Sequence, residues 1–250
     1  MLAHDVEGTG PRLVLVHGFT QTRAHWGLIR NRLALDHEVV RVDAPGHGRS
    51  GELTADMTEG ADLLGATAGH ATYIGYSMGG RLCLHLALTR PDLVRGLVLV
   101  GATAGIDDPV ERARRVAADE ELAQRLEAGG VDAFLAWWLA QPLFAGLDEE
   151  AADVGSRRQN TAAGLAASLR RAGTGAQEPL WDGLGRLAMP VLVVAGEHDR
   201  PFTTVARRLA GCIGDNAELV LVPGAGHSAH LEDPSGFLVH LAPWLRHHGL

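Results

Sequence analysis

Lysine is absent from this sequence of 250 residues, so all 22 of its basic residues are arginine. Without lysine the chain cannot form a Schiff base with a carbonyl substrate, and it has no P-loop lysine. The two cysteines, Cys83 and Cys212, are too few and too far apart for a disulfide framework or a zinc site. We expect both thiols to be buried, and we expect neither a metal nor a cofactor.

Long apolar runs are also missing, since none approaches the roughly 20 residues of a membrane-spanning helix. The first ten residues, MLAHDVEGTG, lack the apolar core of a secretory signal. The formal net charge of -8 argues against general nucleic-acid binding, which needs concentrated positive charge. We therefore predict a cytoplasmic protein with neither a membrane nor a nucleic acid as partner, in which any anionic ligand meets a local basic site. No pattern indicates an oligomeric state.

Apolar runs of strand length, several with glycine-rich ends, recur along the chain. They are LVLVHG (13–18), VVRVDAPG (39–46), ATYIGYS (71–77), GLVLVGA (96–102), PVLVVAGEHD (190–199) and ELVLVPGAGH (218–227). Continuous Val and Leu runs suit strands that are buried on both faces of a parallel sheet. Helix-compatible stretches such as GGRLCLHLALTR, followed by Pro91, alternate with them. The alternation predicts a doubly wound α/β sheet.

The middle of the chain differs from both ends. Residues 105–187 are rich in Ala, Arg and Glu, follow a helical period and contain no convincing strand. We predict one α/β domain whose core comprises residues 1–104 and 188–250, with residues 105–187 inserted as a helical cap. The cap would cover the carboxyl ends of the strands, where open α/β sheets bind ligands.

A candidate nucleophile lies in the segment GYSMG (75–79), a G-x-S-x-G motif between a predicted strand and a predicted helix. In that context the motif predicts a nucleophile elbow, in which a crowded turn needs both glycines and holds Ser77 exposed. The alternative is an ordinary glycine turn that carries a serine. The combination is typical of the α/β-hydrolase fold, which has a mostly parallel central sheet and, here, a helical cap insertion.

A serine hydroxyl needs a histidine to take its proton and a carboxylate to orient that histidine. Asp199 follows the VLVV run and His227 follows the LVLV run, which gives the chain order serine, acid, histidine of this fold. We assign the catalytic triad on that order. Glu197 and His198 remain alternatives in the loop of Asp199, and His230 is the alternative to His227.

Two further loops follow predicted strands. The backbone N–H groups of Phe19 and Met78 are predicted to form an oxyanion hole. His17, in the same HGF segment, is interpreted as structural. The loop PGHGRS (45–50) is interpreted as a tight turn that shapes the pocket and has no chemical role.

Several motifs together resemble one known family over essentially the whole chain. They are HGFT near the start, GYSMGGR at the elbow, an R-x-x-R run before an acidic helix, W-x-x-Q-P-x-F in the middle and GAGHSAH near the end. The chain resembles the 2-succinyl-6-hydroxy-2,4-cyclohexadiene-1-carboxylate (SHCHC) synthases of menaquinone biosynthesis. The resemblance implies a lyase that eliminates pyruvate, in which Ser77, activated by His227, removes a substrate proton and the oxyanion hole stabilises charge at the succinyl carbonyl.

The resemblance also implies a substrate pocket. By position it would be formed by Tyr76, Arg81, Arg115, Trp138, Phe144 and Arg157. A polycarboxylate substrate independently favours arginines, because each charge-assisted contact contributes about 1.5 to 3 kcal/mol. Arg81 follows the nucleophile by one helical turn, although a surface cation is its alternative.

Other residues and other functions remain open at this stage. Arg112, Arg114 and Arg158 are alternatives to the two cap arginines, Trp137 is the alternative to Trp138, and both cap aromatics are alternatively core residues. The rival functions are a serine hydrolase that acts on esters or carbon–carbon bonds, and a non-catalytic ligand-binding protein of the same fold.

Overall fold

The computed structural model describes residues 1–250 and contains one seven-stranded sheet. Its strands are β1 (His4–Glu7), β2 (Arg12–Val16), β3 (Glu38–Val42), β4 (Ala71–Tyr76), β5 (Val94–Val100), β6 (Val191–Gly196) and β7 (Ala217–Val222). They lie in the order β1-β3-β2-β4-β5-β6-β7. Strand β1 runs antiparallel to β3, and every other neighbouring pair is parallel. The predicted α/β fold with a mostly parallel central sheet is confirmed.

The connections between strands are mainly helical. The α-helices are α1 (Gly27–Leu33), α2 (Met57–Ala68), α3 (Met78–Thr89), α4 (Pro109–Leu139), α5 (Glu149–Ala152), α6 (Val154–Arg157), α7 (Ala162–Ala172), α8 (Arg200–Ile213), α9 (Ala229–Glu232) and α10 (Pro234–His247). Short 3-10 helices cover Gly48–Ser50, Pro91–Leu93, Pro142–Phe144 and Trp181–Arg186. None of the helices combines the length and the apolar character that crossing a bilayer requires.

Two apolar clusters cover the two faces of the sheet. Successive residues of a strand point to opposite faces, so Val14 and Val16 join one cluster while Leu13 and Leu15 join the other. Helices α2, α3 and α8 complete the first cluster, and α1 and α10 complete the second. Because both faces are covered, the six parallel strands read as continuous apolar runs.

Two features of the fold differ from expectation. Strand β1 has no signal in the sequence, because HDVE alternates between exposed and half-buried side chains at the edge of the sheet. The prediction that both thiols are buried is correct for Cys83 and wrong for Cys212, which is exposed. Helix α8 turns Leu209 and Ile213 toward the sheet and leaves Cys212 on its solvent side.

Only helices and turns lie between β5 and β6. Helices α4 and α7 form a third apolar cluster that includes Leu126, Phe134 and Leu165. Helix α4 bends at Gly130, whose φ of 74° and ψ of 175° are not helical. Trp181 and Leu184 near the end of the segment belong to the sheet cluster. The cap boundaries at 105 and 187 stay a prediction.

Candidate active site

The turn after β4 holds Ser77 in a backbone conformation that side chains seldom adopt, with φ 51° and ψ -110°. A Cβ at Gly75 would lie 2.5 Å from the carbonyl oxygen of Gly79, and a Cβ at Gly79 would lie 2.1 Å from that of Val16. Both positions therefore exclude any side chain. The crowding explains why the motif needs its glycines, and it presents the Ser77 hydroxyl at the start of α3.

A hydrogen-bonded chain runs from Ser77 to Asp199. The Nδ1 atom of His227 lies 2.7 Å from Oδ2 of Asp199, and its Nε2 atom lies 3.4 Å from Oγ of Ser77. His227 and Asp199 are both buried. Since a carboxylate only accepts, Nδ1–H donates to Asp199 and Nε2 is left as the acceptor that faces the serine. The arrangement can draw a proton from the Ser77 hydroxyl.

The alternatives to these two residues lie elsewhere. Glu197 accepts a hydrogen bond from the Gly224 N–H at 3.1 Å, and His198 is exposed. His230 is fully buried, with its ring 4.5 Å from that of Tyr76 and 4.8 Å from that of Trp26. Neither of its nitrogens has a hydrogen-bond partner. None of the three is placed to serve Ser77.

The backbone N–H groups of Phe19 and Met78 lie outside the backbone hydrogen-bond network, and both residues line the pocket around Ser77. The loop that carries Phe19 is constrained at Thr20, whose φ is 66°. The Thr20 N–H donates to Nε2 of His47 at 3.3 Å, and the Thr20 carbonyl oxygen accepts from Nδ2 of Asn160 at 2.7 Å. The loop is thus held from the core and from the cap.

Two buried histidines support this loop. Nδ1–H of His17 donates to the carbonyl oxygen of Gly18 at 2.8 Å, while its Nε2 accepts from the Ala44 N–H at 3.0 Å. His47 similarly donates to the carbonyl oxygen of Pro45 at 2.9 Å. Burial lowers the pKa of each histidine to about 3. Both rings are therefore neutral at pH 7 and act as supports of the loop.

One pocket collects all the residues named for substrate binding. It is lined by Tyr76, Arg81, Arg115, Trp138, Phe144 and Arg157, together with Ser77, His227, Phe19 and Met78. The three arginines come from different elements: α3, α4 and α6. No carboxylate lines this pocket. The lining therefore carries three guanidinium groups and no carboxylate, in a protein whose net charge is negative.

Arg81 and Arg157 are almost completely buried. Nη1 of Arg81 donates to the carbonyl oxygen of Ala172 at 2.9 Å and to Oε1 of Gln177 at 3.1 Å. Burial, with a contribution from the charge of Arg115, lowers the pKa of Arg81 to about 10. Burial also lowers the pKa of Arg157 to about 10. Both side chains stay charged at pH 7, and neither has a carboxylate within ion-pairing distance.

Arg157 joins the cap to the loop that carries Phe19. Its Nε donates to the carbonyl oxygen of Ala152 at 2.7 Å, and its Nη1 donates to Oγ1 of Thr20. Arg115 is held differently, because its Nε donates to Oδ1 of the buried Asp119 at 2.8 Å. Asp119 lies one turn further along α4, so the helix itself sets this contact.

The aromatic residues of the pocket pack on one another. The Trp138 ring lies 5.6 Å from that of Phe19 and 5.5 Å from that of Phe144. Tyr76 is buried, and its hydroxyl shares a hydrogen bond of 2.7 Å with Oγ of Ser228. Burial raises the pKa of Tyr76 well above its usual range, so the phenol stays neutral. These aromatic side chains form an apolar wall of the pocket beside the triad.

Comparisons with known proteins agree with this geometry. Residues 13–241 match the alpha/beta hydrolase family. The SHCHC synthase of Escherichia coli O1:K1 is 32% identical, with 94% of each chain covered, and a Bacillus subtilis (strain 168) relative provisionally given the same name is 33% identical over 94% of this chain and 90% of its own. The chain belongs to the alpha/beta hydrolase family and, within it, to the SHCHC synthases. The structure of MenH from S. aureus superposes with a TM-score of 0.93 at 27% identity and covers 100% of both chains.

In this member of the SHCHC synthase family, the alternative residues Arg112, Arg114, Arg158 and Trp137 do not line the pocket. Arg112, Arg114 and Arg158 pair with Glu178, Glu111 and Asp132 respectively. Trp137 stacks beneath Arg125, whose guanidinium carbon lies 4.4 Å from the ring centroid. The structure thus brings together every residue predicted for the site. Their functional roles stay a proposal.

Sequence reasoning missed the partners that hold these residues. They are Asp119 beside Arg115, Gln177 beside Arg81, Asn160 and His47 on the loop of Phe19, and Glu232 on the loop of His227. Gln177, Asn160 and His47 are far from their partners in sequence. Glu232 is close to its partners, but it contacts them through a turn. His47 lies in the PGHGRS loop, for which the sequence predicts no chemical role. No group of three or more His, Cys, Asp or Glu side chains is arranged to hold a metal ion.

Proposed function

We infer that this protein is a lyase that eliminates pyruvate from 2-succinyl-5-enolpyruvyl-6-hydroxy-3-cyclohexene-1-carboxylate and releases SHCHC, a step of menaquinone biosynthesis. The observation that carries this inference is a single pocket in which three arginines surround a Ser–His–Asp arrangement. A neutral ester would offer no carboxylate to these three guanidinium groups. Full-length similarity to SHCHC synthases supports the same substrate.

The triad supplies a base in this mechanism. Nε2 of His227 draws the proton from Ser77. The Ser77 oxygen takes a proton from the ring carbon that bears the succinyl group and lies next to its carbonyl. The electron pair moves through the ring double bond, and the bond between the ring and the enolpyruvyl oxygen breaks. Enolpyruvate leaves and gains a proton to become pyruvate. Atoms and electrons balance without a cofactor.

Negative charge develops on the succinyl carbonyl oxygen as the proton leaves. The N–H groups of Phe19 and Met78 have no backbone acceptor, so both are available to that oxygen. Preorganised donors of this kind are among the largest contributions to catalysis. Met78 also begins α3, so the positive end of the helix dipole faces the same place.

The arginines account for the carboxylates of the substrate. We propose that Arg81, Arg115 and Arg157 each face one of the three carboxylates, and that Tyr76, Trp138 and Phe144 pack against the ring. Arg81 and Arg157 are already held by protein carbonyl groups, so little conformational freedom is lost when the substrate binds. We further propose that the enzyme works in the cytoplasm on this small polycarboxylate.

The test is pyruvate release from the enolpyruvyl precursor by the purified enzyme. The matched control is Ser77→Ala, and a p-nitrophenyl ester is assayed in parallel. We expect rapid pyruvate release that falls at least 1000-fold in Ser77→Ala, with negligible ester cleavage. Rapid Ser77-dependent ester cleavage without pyruvate release would instead identify a serine hydrolase.

A further inference from the structure

The Glu232 carboxylate accepts hydrogen bonds from the residues on both sides of His227. Its Oε2 accepts from the Gly226 N–H at 2.7 Å, and its Oε1 accepts from the Ser228 N–H at 2.9 Å. The carboxylate therefore straddles the histidine with one oxygen on each neighbouring residue. Neither N–H has another acceptor, so Glu232 alone satisfies both.

The two sides of the histidine loop are anchored by different means. Before His227, the carbonyl oxygen of Ala225 accepts from the His198 N–H at 2.8 Å, and a Cβ at Gly196 would lie 2.0 Å from the carbonyl oxygen of Gly226. This side therefore packs directly against the end of β6. After His227, the chain turns into the four-residue helix α9, and the Glu232 carboxylate folds back to hold the turn.

The cap also reaches this carboxylate. A Cβ at Gly146, just after the 3-10 helix Pro142–Phe144, would lie 2.1 Å from Oε2 of Glu232. Only a glycine leaves room for the carboxylate in its present place. Glu232 itself does not line the pocket that holds Ser77 and the arginines. Any effect that Glu232 has on the reaction is therefore indirect and acts through the loop that carries His227 and Ser228.

We propose that Glu232 is a positioning residue that holds His227 in register with Ser77 and Asp199, and that Gly146 keeps the cap clear of its carboxylate. The inference rests on the proposed role of the triad. It gives the carboxylate a purpose beyond local structure, because the Nε2 to Oγ contact is already long at 3.4 Å. A small displacement of the loop would break that contact.

The first variant is Glu232→Gln, compared with Glu150→Gln. An amide keeps one accepting oxygen but places an NH2 donor against the second N–H, so one anchor is lost. Glu150 is an exposed carboxylate of the same region with no side-chain hydrogen bond, so it controls for loss of charge. We expect kcat for pyruvate release to fall about 10- to 100-fold in Glu232→Gln, with KM nearly unchanged and the melting temperature lowered by only a few degrees, because one N–H loses its acceptor.

The second variant leaves Glu232 in place. Gly146→Ala should push the carboxylate away from Gly226 and Ser228, and it should reproduce the fall in kcat without touching the histidine loop. Phosphonylation of Ser77 by a fluorophosphonate provides a readout that needs no substrate recognition. Its rate should fall in both variants, and the downfield Nδ1 proton of His227 should shift or broaden in the NMR spectrum.

The outcomes separate this inference from the proposed function. If Ser77→Ala and His227→Ala retain pyruvate release, the proposed function fails. If those variants are inactive while folded Glu232→Gln and Gly146→Ala keep the kcat and labelling rate of Glu150→Gln, only the positioning role is overturned. Should Glu232→Gln not fold, Gly146→Ala decides alone.

Discussion

The two ends of the pocket around Ser77 are built in different ways. At the triad end, Ser77, Asp199 and His227 each follow a parallel strand, and backbone geometry puts them in place. At the arginine end, Arg81, Arg115 and Arg157 project from helices. Distant residues hold Arg81 and Arg157 by hydrogen bonds, and Asp119 of the same helix holds Arg115. The triad end therefore depends on the sheet, whereas the arginine end depends on how the cap packs.

The ends also differ in charge. The histidines around the triad, His17, His47 and His230, are buried and neutral at pH 7. The arginine end keeps a fixed positive charge at any pH near neutrality. This difference suits the proposed reaction, in which one end moves a proton and the other end binds carboxylates that do not change. The two functions should be separable by mutation.

Arg81→Met is the sharpest test of that separation. The variant removes one substrate contact and leaves two protein acceptors, at Ala172 and Gln177, without their donor. A lost charge-assisted contact of about 1.5 to 3 kcal/mol predicts that kcat/KM for pyruvate release falls roughly 10- to 150-fold. The triad end should be unaffected, so fluorophosphonate labelling of Ser77 should proceed at the normal rate.

Arg81→Lys is the matched control, since it keeps the charge and loses the planar fork. We expect it to recover only part of the lost kcat/KM. Equal loss of labelling and of kcat/KM in Arg81→Met would contradict the idea of two independent ends.

Asp119→Asn addresses the arginine end more gently. The change removes the negative charge that holds Arg115 but keeps an oxygen for the Gly175 N–H, which lies 3.4 Å from the carboxylate. Because Arg115 is partly exposed, the ion pair contributes about 1 kcal/mol at most. We expect KM to rise roughly 3- to 5-fold with kcat unchanged in steady-state kinetics.

Glu111→Gln is the control for this variant, because Glu111 pairs with Arg114 outside the pocket. It removes the same charge from the same helix. Loss of a negative charge by itself favours binding of an anionic substrate, so general electrostatic attraction would lower KM in both variants. A similar rise in KM in both variants would contradict the role of Asp119 in positioning Arg115.

The difference between the two ends also explains what the sequence predicts well. A Cβ at an elbow glycine would lie as close as 2.1 Å to a neighbouring backbone atom, so only glycine fits there. A five-residue motif is therefore enough to identify Ser77. Asp199 and His227 follow from strand order, because parallel strands end at one edge of the sheet. The fold was predictable for the same reason, since strands buried on both faces leave continuous apolar runs.

Features that depend on tertiary partners left no comparable signal. Strand β1 lies at an edge and gains its order by pairing with β3, so its own residues do not show it. Glu232 contacts residues four to six positions away through a turn that no apolar period describes. Resemblance to a family supplied Arg115 and Arg157, but only the fold shows that their neighbours Arg114 and Arg158 face other carboxylates.

The smallest effect concerns stability in acid, and it belongs to the triad end. Burial lowers the pKa of His230 to about 3, whereas a histidine in the unfolded chain titrates near 6.5. As the pH falls from 6.5 toward 3, the unfolded chain therefore binds a proton that the folded protein excludes. Each such histidine lowers the free energy of unfolding by about 1.4 kcal/mol per pH unit in that window.

His230→Leu should remove one of these contributions. Both ring nitrogens lack partners, so leucine sacrifices no hydrogen bond beside Trp26 and Tyr76. We expect urea unfolding at several pH values between 7 and 5 to give a pH slope shallower by about 1 kcal/mol per unit on average, with unchanged or greater stability at pH 7. The exposed His70→Gln is the matched control. Parallel slopes in the wild type and His230→Leu would show that His230 already takes up a proton in the folded state, and the neutral character of the triad end would then be wrong.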